Sequence, residues 1–166
     1  MLDLLACLRR AGLLDEHGGL ILPADEKGER AFVLSSNGFL RLTQADVRQM
    51  QLAKGAVCAG VRILCRHAGI TPAEIARVRL AGGFGSSLSP DSAATAGLIP
   101  GELTGRVRAE GNTALAGALM SARDPGLLDE CDRIRSEVRV VDLAGDAEFQ
   151  DAFVEAMGFP PLPEKD

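Results

Sequence analysis

Metal-ligand spacing is the first thing this sequence lacks. Cys7, Cys58, Cys65 and Cys131 form no C-x-x-C pair, and His17 and His67 stand far apart, so neither zinc nor an iron–sulfur centre is expected within the chain. Cys58 and Cys65 lie seven apart in a helical pattern, on one face, and read as reduced core thiols. No apolar run approaches the roughly 20 residues that cross a bilayer, and Met1 to Leu5 leads into Arg9-Arg10 without a signal-peptide pattern. A cytoplasmic chain with no membrane contact is expected. An excess of positive charge is also missing: 18 basic residues face 23 acidic ones, for a net charge of −5, which excludes a general nucleic-acid surface. Lysine itself is scarce, with 15 of the 18 basic residues arginine and only Lys27, Lys54 and Lys165 left.

What is present fits one α/β domain over residues 1–166, ordinary in its 46% hydrophobic and 25% charged content. Leu2 to Leu14 predicts a short amphipathic helix ended by Gly12. The apolar runs 19–23, 31–35 and 39–42 are separated by Asp25-Glu26-Lys27-Gly28 and by the hairpin signal Asn37-Gly38, which predicts a three-strand antiparallel meander. Thr43-Gln44-Ala45-Asp46 then opens a helix of about 25 residues that stops at Gly69. Thr71-Pro72-Ala73-Glu74 is a further cap, followed by a strand at 77–81, a cap at Ser89-Pro90-Asp91, a short strand near Val107 and a helix from Thr113 to Ser121. A helix near 126–135, a strand at 138–143, a helix at 147–157 and a loose Pro-rich tail complete the chain. The order suggests a ribonuclease-H-like lobe, a mixed sheet in which the antiparallel meander is followed by alternating helices and strands.

Two features carry chemistry. Val78-Arg79-Leu80-Ala81 runs straight into Gly82-Gly83-Phe84-Gly85-Ser86-Ser87, where glycines accept φ > 0 and let the main chain lie against a base, ribose or phosphate. A turn that merely feeds a helix would look the same. In the long helix, Val47, Met50, Val57, Val61, Leu64 and Ala68 fall on one stripe whose gap is filled by Lys54, with Gln51 one turn earlier. A buried ammonium must reach a carboxylate, snorkel to solvent or meet a ligand. Gly55 and Gly60 weaken the same helix unless a neighbouring element or a ligand packs close. Asp46 and Asp91 sit in first helical turns and read as caps before catalytic acids. Asn112 likewise reads as a cap first and a ligand contact second.

Several separated motifs then occur in one order: Leu42-Thr43-Gln44-Ala45-Asp46-Val47-Arg48, Gln51-Leu52-Ala53-Lys54-Gly55-Ala56, Leu80 through Gly85, Gly97-Leu98-Ile99-Pro100, and Gly111-Asn112-Thr113-Ala114-Leu115-Ala116-Gly117-Ala118. With Asp3-Leu4-Leu5, Ala11-Gly12-Leu13-Leu14 and the closing Phe153 to Met157 and Phe159-Pro160, the chain resembles the C-terminal domain of the reductive activators of corrinoid proteins. That family is similar to the acetate and sugar kinase, heat-shock chaperone and actin superfamily, with nucleotide between two ribonuclease-H-like lobes. The resemblance implies that this is the second lobe, that Gly82, Gly83, Phe84 and Gly85 form the adenosine-side turn, and that the helix bearing Gln51 and Lys54 lines the nucleoside. It implies ATP or ADP with Mg²⁺ as cofactor, a corrinoid protein as partner, and an electron delivered to cobalt from a [2Fe–2S] ferredoxin-like domain elsewhere in a longer protein.

Two departures bear on what the chain does alone. It has no cysteine cluster and no Asp-x-Gly-Thr phosphate signature, since Asp142-Leu143-Ala144-Gly145 is not one. It is therefore expected to be a fragment beginning at an added or internal Met1, lacking the first ATPase lobe and hydrolysing nothing by itself. The rival reading is a module that has lost nucleotide and serves homodimerisation or corrinoid-protein docking. A sugar- or acyl-kinase lobe is a third. Docking predicts an exposed apolar patch with no cleft at Gly83, whereas ATP binding predicts an open groove between that turn and Lys54.

Overall fold

The computed structural model describes residues 1–26, 28–85 and 88–162, so Lys27 of the first turn, Ser86-Ser87 and the end of the Pro-rich tail lie outside the described residues. Helix α1 (Leu2–Arg10) presents Leu5 and Leu8 inward and stops where Gly12 takes φ +69°. Strands β1 (Ala31–Val33) and β2 (Arg41–Thr43) pair antiparallel across Asn37-Gly38, with Phe32 opposite Leu42. Helix α2 (Gln44–His67) follows at once. Thr43 and Asp46 close a reciprocal capping box at its start, the Thr43 N–H donating to the Asp46 carboxylate at 2.9 Å, which holds that carboxyl below its usual range.

Strand β3 (Val78–Ala81) runs into the single turn α3 (Gly82–Gly85), and α4 (Pro90–Thr95) is capped by Ser89. Strand β4 (Val107–Gly111) lies parallel to β3, with Val78 beside Val107 and Ala81 beside Gly111. Helices α5 (Thr113–Arg123), α6 (Leu127–Glu137) and α7 (Phe149–Met157) complete the order, α7 packing along α2. Leu5, Leu14, Leu20, Leu42, Val47 and Phe159 form one core, and Ala93, Ile99, Leu103 and Val107 a second, against which Val61, Val78 and Leu80 pack. Helix α2 spans both.

The sheet differs from the expected meander. Among the described residues there are two separate two-stranded sheets, β1–β2 and β3–β4, and the run 19–23 contributes only a bridge between Leu14 and Leu20. Its amides are already engaged: Ile21 donates to the Leu13 carbonyl at 2.9 Å and Leu20 to the Gln44 side chain at 2.9 Å, which folds the run back on the end of α1. The segment 138–143 is no strand either, because nothing among the described residues pairs with it; Val140 is 93% exposed.

The buried face of α2 is also rotated from the expected stripe. Val57 and Leu64 are exposed, whereas Gln51, Lys54, Gly55, Cys58, Ala59 and Gly60 are buried. Small residues decide this. A Cβ on Gly55 would stand 3.3 Å from the Met157 main-chain nitrogen, so close helix approach won over apolar bulk. The close packing that explains Gly55 and Gly60 thus comes from the chain itself, α7 at Gly55 and Leu143 at Gly60.

Candidate functional site

Parallel strands place their carboxyl ends together, and here both ends turn on a left-handed glycine: Gly82 at φ +80° after β3 and Gly111 at φ +67° after β4. The register of Ala81 with Gly111 sets the glycine turn Gly82–Gly85 beside Asn112. Among the described residues, a Cβ at Gly82 or Gly83 would meet no atom within 4 Å, which leaves the main chain of the turn uncovered by them on that side. Asn112 accepts from the Leu115 amide at 3.0 Å and caps α5, while its amide nitrogen has no partner among the described residues. Among the described residues nothing covers the Cβ side of Gly82 and Gly83, and the Asn112 amide stands beside them as a donor.

Beside that edge lies a groove of about 540 Å³, bounded by Leu2 of α1, Met50, Lys54 and Val57 of α2, Leu80 of β3 and Leu88. The groove lies between α2 and the strand that leads into the turn. Its walls are mostly apolar, with Asp3 among them, and suit a ring face rather than a phosphate.

Gln51 and Lys54 point their polar ends elsewhere. Gln51, 3% exposed, donates to the carbonyls of His17 at 3.0 Å and Met157 at 2.9 Å, and accepts from Arg48 at 3.0 Å. Lys54 is 0% exposed; its ammonium donates to Ala156 at 2.8 Å and to Gly158, and lies 4.6 Å from the centre of the Phe159 ring. Among the described residues no carboxylate pairs with it. Burial lowers it to about 8, Cys58 opposing that shift and Arg9 adding to it. Gly97, at φ +74°, leaves the space: a Cβ there would lie 3.2 Å from Nζ.

The other acidic candidates act structurally. Asp46 belongs to the capping box, and Asp91 pairs with Arg10 at 2.5 Å on the surface. Cys58 and Cys65 are buried, with burial raising both thiols. Among the described residues no three His, Cys, Asp or Glu side chains gather as a metal site, and no helix is long and apolar enough to cross a membrane. Sequence reasoning did not find Arg9, which donates to Leu14 at 2.9 Å and to Pro160 at 3.1 Å and contacts Phe159. Its only signal was a cation inside the apolar pattern of α1.

An α/β lobe with paired parallel strands, a glycine turn at their carboxyl edge and a long helix behind them is a lobe of the kinase, chaperone and actin type, the ASKHA domain. Residues 1–165 match the family described as the C-terminal domain of RACo, the ASKHA domain, and the chain belongs to that family. It is 29% identical over 176 aligned positions to the corrinoid activation enzyme RamQ of Eubacterium limosum, covering 93% of this chain and 29% of that protein. Among solved structures it is similar to a reductive activator for corrinoid, iron–sulfur protein, with a TM-score of 0.80, 31% identity, and coverage of 96% of this chain and 27% of that one. The chain thus spans under a third of the length of either relative.

Proposed function

We propose that the chain is the C-terminal, ATP-binding lobe of an ATP-dependent activator that reduces corrinoid proteins. The observation that carries the nucleotide reading is the pair of left-handed glycines, Gly82 and Gly111, at adjacent carboxyl ends of β3 and β4. In open α/β sheets ligands bind outside that edge. In this reading Gly82, Gly83, Phe84 and Gly85 cradle the adenosine, Asn112 offers its amide, and α2 forms the neighbouring wall. Gln51 and Lys54 brace that wall by tying α2 to the end of α7.

Bound ATP supplies the driving force for an otherwise unfavourable reduction of cobalt. This lobe binds and orients nucleotide; the γ-phosphate, Mg²⁺ and attacking water belong to a first lobe elsewhere in the activator, and the electron to its [2Fe–2S] domain. The corrinoid partner is supported by the two relatives, a corrinoid activation enzyme and a reductive activator for corrinoid, iron–sulfur protein.

Calorimetric titration of MgATP and MgADP into the chain and into its parent activator tests this, beside Gly83→Val. Saturable binding lost in the variant is expected. No heat from either wild-type protein would overturn the reading. The second reading, a docking or dimerisation module without nucleotide, is favoured by the exposed Leu115, Leu119 and Met120 of α5.

A further inference from the structure

The exposed face of the β3–β4 pair is built of arginine. Arg79 stands directly beside Arg108 in the register, and Arg77 and Arg106, two residues earlier, immediately precede the two strands. Alternation turns Val78, Leu80 and Val107 inward to the second core, so the arginines share the outer face. Neighbouring strands are about 4.8 Å apart and two residues span about 6.6 Å, so the four side chains start from neighbouring backbone positions. Like charges set directly opposite destabilise a strand pair unless a counter-charge is supplied.

Internal compensation is thin. Arg79 reaches Glu110 at 3.7 Å, and Arg106 spends one nitrogen on the carbonyls of Ala73 and Ile75. Arg108 donates only to the carbonyl of Val107 at 3.1 Å, and neither it nor Arg77 pairs with a carboxylate among the described residues. Arg77, Arg106, Arg108 and Glu110 line an open hollow of about 420 Å³ that begins at the amino ends of the strands and extends along β4 to Glu110. In a chain of net charge −5, this is a local reversal of sign.

We propose that this arginine face docks an acidic, extended segment of a protein partner. Guanidiniums grouped in this way match carboxylates spaced along a polypeptide, with Arg77 and Arg108 each able to take one in a two-point hydrogen bond. Glu110 decides against a compact phosphate, because a dianion seated in the hollow would lie against its carboxylate, whereas separate carboxylates straddle it. Arg77 and Arg106 precede the strands, at the opposite end from Gly82 and Gly111, so the proposal does not depend on nucleotide binding.

Fluorescein-labelled hexaglutamate, followed by anisotropy against the full chain at low and high salt, provides the test. Saturable binding is expected, weakened by salt and roughly ten-fold or more by Arg77→Glu with Arg108→Glu. The variant pair Arg123→Glu with Arg139→Glu, which changes net charge equally at other exposed arginines, should leave binding near the wild-type value. No saturable binding, equal loss in both pairs, or displacement of the peptide by equimolar inorganic phosphate would each overturn the proposal, the last in favour of a small-anion site. MgATP calorimetry on the same variants keeps the two readings separable, since neither Arg77 nor Arg108 belongs to the glycine turn.

Discussion

The ammonium of Lys54 lies 4.6 Å from the centre of the Phe159 ring and donates to main-chain carbonyls on either side of Met157. Gln51 takes the carbonyl of Met157 between them, and Arg9 that of Pro160, so three buried side chains tie down four carbonyls at the end of α7. The carbonyls of Ala156 and Met157 belong to the last turn of α7, which has no following helical amides to bond them, and a cation at a helix carboxyl end also meets the favourable pole of its dipole. Lys54→Ala should destabilise the chain by about 3 kcal/mol, because two carbonyls and the cavity left by the stem go uncompensated. Lys54→Met keeps the stem and removes a costly buried charge, so its loss should be smaller, about 1 kcal/mol. Urea unfolding of both variants checks the order; equal stability of wild type and Lys54→Ala would refute the strap.

The same lysine gives a pH signature. Burial lowers it from 10.5 to about 8, so below pH 8 both states carry the charge and the whole burial cost is present. As pH rises from about 8 towards 10.5 the unfolded chain still holds a proton that the native chain has released, and stability must rise. Measured as the difference between wild type and Lys54→Met, which cancels the cysteines and other groups, the gain from about pH 7 to about 9.5 should be about 2 kcal/mol. A flat or falling difference would mean that the ammonium is not desolvated as described.

Much of this fold was legible where local signals and tertiary packing agree. The capping box of Thr43 and Asp46, the Asn37-Gly38 hairpin and the stop at Gly69 are set by residues close in sequence and appear as expected. The run 19–23 misled because its donors were claimed by Leu13 and Gln44, a competition that periodicity does not reveal. Segment 138–143 has strand composition, but a strand needs a neighbour. At the site, Lys54 announced itself as a cation on a buried face, while its receptor did not: carbonyls at 156 and 158 are main-chain groups and leave no trace in composition. The glycine turn and Asn112 were each visible alone, and only the parallel register of β3 with β4 brings them together.

Gly55 and Gly60 offer a contrast of sign. Both lose about 1 kcal/mol of helix propensity relative to alanine. At Gly60 a new Cβ would press, at 3.3 Å, on the end of the Leu143 side chain, which can rotate away. Gly60→Ala should therefore stabilise the chain by up to about 1 kcal/mol. At Gly55 the obstacles are the Met157 nitrogen at 3.3 Å and the Ala156 carbonyl carbon at 3.4 Å, which are main chain and held by the Lys54 strap. Gly55→Ala should cost about 1 to 2 kcal/mol as α7 is pushed off. Thermal melts of the two variants moving in the same direction would show that the α2–α7 spacing is not what fixes these glycines.

The outer surface also carries a group of exposed apolar side chains close in sequence. Leu115, Leu119 and Met120 of α5, Leu128 and Ile134 of α6 and Val138 and Val140 beyond them are each at least half exposed, and Phe39 at the hairpin tip is 91% exposed. Neither α5 nor α6 has a buried residue. Water contact at such side chains costs about 25 cal/mol per Å² of apolar surface, so covering them is favourable wherever a complementary surface is available. In the chain by itself the available surface is another copy or an apolar dye. Micromolar solutions should thus enhance the fluorescence of an anilinonaphthalene sulfonate dye and show concentration-dependent self-association in sedimentation velocity. Leu119→Lys with Val140→Lys, both at exposed positions that bury nothing, should reduce both signals without lowering thermal stability by more than about 0.5 kcal/mol. A chain that stays monomeric, with no dye response, would mean that α5 and α6 fold against the body in solution and that their apolar residues are not an interface.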